Sequence, residues 1–90
     1  MNKQFYIDDR VKISEDYHWA QLATGVIKVP PKATVDLRGD WNGYTRTVKT
    51  LKGDKLFYWI LFDNPQYDAD GDGPYSDAEI DSEYLLRLAP

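Results

Sequence analysis

Residues 44–62, YTRTVKTLKGDKLFYWILF, decide the fold of this 90-residue chain. The first part, residues 44–50, is rich in Thr, Val and Tyr, which favour β-strands. The last part, residues 56–62, is apolar at every position, as is typical of a strand that is covered on both faces. A glycine-containing turn at residues 52–55 separates them. The stretch therefore predicts a β-hairpin whose second strand lies in the centre of a sheet.

Three further short strands are predicted around this hairpin. Residues 10–14 alternate polar and apolar side chains, and residues 23–29 are β-branched up to a Pro-Pro pair that cannot donate to a ladder. Residues 31–42 are predicted to be a long loop, and residues 84–88 one turn of 3-10 helix that leads into a last strand. We expect a mainly β protein, a single five-stranded SH3-like barrel spanning residues 1–90 with a long acidic loop.

Composition restricts the classes of partner and the compartment. The net charge of −4 argues against nucleic acid as the main partner, because phosphate binding depends on Lys and Arg. There is no cysteine, which suits a reducing cytoplasm, and the longest apolar run is too short to span a bilayer. We therefore expect a cytoplasmic protein that binds another protein, with no membrane partner; the oligomeric state stays open.

Charge is unevenly distributed along the chain. Residues 28–55 contain seven basic and three acidic side chains, whereas residues 57–86 contain eight acidic and no basic ones. Either these charges face water and each other, or they form a docking face that speeds the encounter with a charged protein.

Several stretches resemble two SH3-like barrel families of photosynthetic electron transfer, namely the SH3-like barrel chain of photosystem I and the variable chain of ferredoxin-thioredoxin reductase. The resemblance covers about half the chain and rests on residues 10–13, 15–19, 24–27 and 59–63, and on the acidic turn before residues 84–85. It implies an accessory or adaptor barrel without chemistry of its own.

One motif points to a specific ligand. Residues 68–79, DADGDGPYSDAE, fit the calcium loop of an EF-hand. Such a loop supplies oxygen ligands to Ca²⁺, and a solitary one would bind weakly, on the order of 10⁻⁴ to 10⁻³ M. Alternatively the loop is solvated and its last four residues cap one helical turn, in which case there is no cofactor. The candidate metal ligands are Asp68, Asp70, Asp72, Pro74, Ser76 and Glu79.

The aromatic side chains are too numerous for one small core, and some are expected to line a peptide-binding groove. The candidates, each in a predicted loop, are Tyr17, Trp19, Trp41 and Tyr75. His18 is the only histidine and is interpreted as a half-buried packing residue. No serine has a nucleophile-elbow context, so no catalytic residue is predicted.

Taken together, these features favour a non-catalytic interaction module with an aromatic and acidic surface and a weak calcium-binding loop. Two alternatives are an immunity or inhibitor protein that neutralises a basic partner, and an accessory component of a redox enzyme complex.

Overall fold

The computed structural model describes residues 4–88, which form seven β-strands, one α-helix and one 3-10 helix. No helix within residues 4–88 has the length and apolar character needed to cross a membrane. The strands are β1 (Arg10–Ile13), β2 (Thr24–Ile27), β3 (Trp41–Asn42), β4 (Thr45–Thr50), β5 (Gly53–Gln66), β6 (Tyr75–Asp81) and β7 (Leu85–Arg87). The α-helix α1 spans Lys32–Arg38, and the 3-10 helix spans Ser82–Tyr84.

All seven strands belong to one antiparallel sheet built around β5. The hydrogen-bonded order is β3-β4-β5-β2-β1-β7, and β6 pairs with the opposite edge of β5. The predicted central position of residues 56–62 is thus confirmed, as is the mainly β class. The predicted five-stranded closed barrel is not confirmed, because the sheet has seven strands and is open.

Strands β2 and β4 share one edge of β5, end to end. Strand β2 finishes with Ile27 opposite Ile60, and β4 starts with Thr45 opposite Tyr58. Only Trp59 lies between these two positions on β5, and its carbonyl accepts a hydrogen bond from the Lys28 amide at 2.9 Å. Residues 28–44 therefore leave the edge and return to it almost at the same place; we call this segment the excursion.

The core lies on the face of β5 that carries Tyr58, Ile60 and Phe62, all buried. Neighbouring strands and the N-terminal arm contribute the other members, and the phenol of Tyr58 accepts a hydrogen bond from the Phe5 amide at 3.0 Å. Alternation along each strand directs these side chains to one face. The buried cluster comprises Phe5, Val11, Ile13, Tyr17, Ala20, Ile27, Tyr58, Ile60, Phe62, Ile80 and Leu85.

The excursion corrects the prediction of a loop over residues 31–42, because it contains α1. The helix follows Pro31, whose φ of −60° suits a helix start, and ends at Gly39 in the left-handed conformation with φ of 73°. It has fewer than two turns and no buried residue, so it left no apolar periodicity in the sequence. Pro before and Gly after the segment were the available signals.

Two other local predictions were wrong. Ser76 and Glu79 lie on strand β6 and not on a capped helical turn, because residues 77–81 pair with β5 from Leu61 to Phe57. The hairpin turn is two residues earlier than predicted, since Thr50 already faces Gly53. In contrast, the predicted 3-10 turn and final strand are confirmed.

Candidate functional site

The acidic loop between β5 and β6 is folded around one aspartate side chain. The Asp68 carboxylate accepts hydrogen bonds from the amides of Asp70 at 3.0 Å and Asp72 at 2.9 Å. The Asp68 amide in turn donates to the Asp72 carbonyl at 2.9 Å. As a result, one carboxylate oxygen from each of the three aspartates lies within 4.8 Å of the others. No Lys or Arg of residues 4–88 forms an ion pair with any of them.

Two aromatic side chains lie next to these carboxylates. Trp19 packs edge to face on Tyr75, with ring centroids 5.9 Å apart, and on the core residue Phe62 at 5.8 Å. Partial desolvation raises the pKa of the Tyr75 phenol, and the negative charges of Asp68 and Asp72 raise it further. Tyr75 is therefore electrostatically coupled to the loop. We call the set Trp19, Tyr75, Asp68, Asp70 and Asp72 the acidic–aromatic surface.

The remaining ligands of the predicted calcium loop are arranged differently from an EF-hand. Glu79 is held by two arginines: one carboxylate oxygen contacts Arg46 at 2.8 Å and the other contacts Arg38 at 3.3 Å. Ser76 lies on β6, and Pro74 precedes that strand. Three of the six predicted ligands thus converge, and the bidentate glutamate on which a high-affinity loop depends points to other partners. Calcium binding by the three aspartates stays a prediction.

The four predicted groove residues do not line a single groove. Tyr17 is buried in the core, where its ring packs on Tyr84 at 5.0 Å. Trp41 covers Trp59 on the opposite face of β5, with ring centroids 5.8 Å apart. Trp19 and Tyr75 alone come together. His18 packs on Tyr17 as predicted, at 4.4 Å, but its side chain is exposed.

The two oppositely charged segments of the sequence meet in part across the sheet. Arg46 and Arg38 both contact Glu79, and Lys55 lies 3.6 Å from the buried carboxylate of Asp81. These contacts support the interpretation that charges in the two segments face each other. They also identify which carboxylates are left over, since the three loop aspartates take no part in them.

Two clefts were not predicted from the sequence. One, of about 650 Å³, is floored by the stacked rings of Tyr44 and Tyr58 and flanked by Phe5. The other, of about 270 Å³, contains Asp81, whose carboxylate accepts a hydrogen bond from the Glu83 amide at 3.0 Å and so caps the 3-10 helix. Both are assembled from residues far apart in the chain, which is why no local motif marks them.

Comparison with protein-family models, curated proteins and solved structures finds no significant match to this chain. The resemblance to the two photosynthetic barrel families stays a prediction of the sequence.

Proposed function

We propose that this chain is a non-catalytic protein-interaction module whose acidic–aromatic surface binds a basic segment of a partner protein. The observation that carries the proposal is the concentration of three carboxylates within 4.8 Å, none of them in an ion pair within residues 4–88, beside a Trp–Tyr pair whose tyrosine is exposed. Like charges this close repel one another, and a Lys or Arg side chain from a partner would relieve that repulsion.

The aromatic pair adds a second attraction for the same kind of side chain. A guanidinium or ammonium group over the face of Trp19 or Tyr75 would gain about 0.5 to 1 kcal/mol at an exposed site. Arg is favoured over Lys, because its planar fork both stacks on rings and bonds carboxylates in pairs. An arginine-containing segment is therefore the expected ligand.

The surface is also ordered before it binds. Hydrogen bonds from the amides of Asp70 and Asp72 fix the Asp68 carboxylate, and Trp19 is anchored on the core through Phe62. A preformed surface loses less conformational entropy on binding than a mobile loop would. Without cysteine, the module suits a reducing compartment such as the cytoplasm.

Titration of ¹⁵N-labelled protein with an (Arg-Gly)₄ peptide tests the proposal. We expect chemical-shift changes at the Trp19 indole and at the amides of residues 68–75. The variant D70N/D72N should bind about fivefold more weakly, since two exposed charge pairs contribute about 1 kcal/mol together. The control D36N/D54N removes the same charge from exposed sites elsewhere and should bind like the wild type.

A (Gln-Gly)₄ peptide serves as the neutral comparison and should cause no shifts. The proposal fails if the arginine peptide causes none either, or if the shifts map to residues outside the acidic–aromatic surface. It also fails if both double variants weaken binding equally, because the effect would then come from net charge alone.

A further inference from the structure

The β4–β5 hairpin ends in an apolar residue between two lysines. Thr50 pairs with Gly53, which leaves Leu51 and Lys52 as a two-residue turn. Leu51 is fully exposed, at 108%, more than any other large apolar side chain of residues 4–88. Neither Lys49 nor Lys52 forms an ion pair within the described part of the chain. We call residues 49–52 the hairpin tip.

The hairpin tip and the acidic–aromatic surface lie at opposite ends of the same strand. The tip precedes the first residue of β5, Gly53, and the acidic loop follows the last, Gln66. No ion pair within residues 4–88 joins the two ends. Their charges and apolar groups are complementary, yet they stay unsatisfied within one molecule.

We infer that the hairpin tip of one molecule docks on the acidic–aromatic surface of a second copy, so that the chain associates head to tail. Leu51 would pack against the Trp19–Tyr75 pair, while Lys49 and Lys52 would face the carboxylates of Asp70 and Asp72. The inference rests on the proposed function, because it names a partner for the same surface.

This contact is heterologous: it joins two different patches and leaves one of each free at the ends of every dimer. Assembly therefore continues to longer chains as the concentration rises. A four-residue tip buries far less than the ~1,600 Å² of a standard interface, so the association is weak and appears at about 0.1 to 1 mM. It depends on salt, since exposed charges are screened within about 10 Å at 0.1 M ionic strength.

Sedimentation velocity at low salt tests the inference with two charge-reversal variants. K49E/K52E makes the tip acidic, and D70K/D72K makes the surface basic; Asp68 is kept because it orders the loop. Each variant alone should stay monomeric at concentrations where the wild type assembles. K12E/K32E, which changes the net charge as much as K49E/K52E does, should assemble like the wild type.

An equimolar mixture of K49E/K52E and D70K/D72K is the decisive sample. Each tip then meets a surface of opposite charge, so the mixture should assemble again although neither component does alone. A wild type that stays monomeric at about 1 mM, or a mixture that stays monomeric, overturns the inference. If the arginine peptide still binds in either case, the proposed function stands and only the self-association fails.

Discussion

Replacing Gly25 by alanine should loosen the junction between β2 and β5. Gly25 faces Phe62 in the register of the two strands and is buried. A Cβ atom at this position would lie 2.8 Å from the Ile60 Cγ2 atom and closer still to the Leu61 carbonyl oxygen. Real Cβ atoms essentially never approach other heavy atoms within 3.0 Å. Ile60 is fully buried and the Leu61 oxygen belongs to the backbone, so the two strands must move apart.

The expected loss follows from two opposing effects. Overpacking of this kind costs about 1 to 3 kcal/mol, while alanine reduces the entropy of the unfolded chain and returns about 0.4 to 1 kcal/mol. Because backbone is involved, we expect a net loss near the upper part of this range, about 2 kcal/mol. For a domain of this size that corresponds to a fall in Tm of about 8 to 16 °C.

Urea unfolding followed by far-UV circular dichroism measures the loss, with G39A as the matched control. Gly39 has a φ of +73°, and a Cβ there would have no heavy atom within 4 Å. G39A should therefore cost only the strain of the left-handed conformation, about 1 kcal/mol. If G25A is no less stable than the wild type, or is more stable than G39A, the proposed clash at the β2–β5 junction is refuted.

Two further predictions concern carboxylates. Hydrogen bonds from Arg10 and then Thr24 lower the pKa of Asp63 from 3.8 to about 2. Its stabilising contribution is thus complete above pH 3.8 and lost as the pH falls towards 2; D63N should unfold at most ~1 kcal/mol more easily at pH 6, because the pair is partly exposed, and like the wild type at pH 2. A difference that does not change with pH would contradict this. Calorimetric titration should give a Kd for Ca²⁺ of about 10⁻³ M or weaker, unchanged in E79Q; micromolar affinity, or its loss in E79Q, would show that Glu79 leaves its arginines to bind the ion.

Much of the fold could be predicted because the signals were local. The apolar run of residues 56–62 predicted the central strand, and the 3-10 turn and β7 followed from the pattern near Tyr84. Helix α1 was missed, since a helix that buries nothing needs no apolar periodicity. The strand β6 was missed because Asp and Glu are poor strand formers, and its pairing with β5 overrides their propensity.

The candidate site was half predicted for a related reason. The Asp-x-Asp-x-Asp spacing brings three carboxylates together through short-range hydrogen bonds to Asp68, so the sequence was sufficient. Glu79 was assigned to the same site by the motif. Its place on β6 opposite Trp59 instead brings it to Arg46 across the sheet.

The sequence by itself determined the β class, the central strand and the cluster of loop carboxylates, because each depends on residues within a few positions of one another. Only the tertiary structure decided which aromatic side chains are free to bind and which carboxylates of residues 4–88 lack an ion-pair partner. Tyr17 is buried while Trp19 meets Tyr75, and Glu79 is neutralised while Asp70 is not. Burial and ion pairing depend on strands that approach from distant parts of the chain, and no local pattern records those approaches.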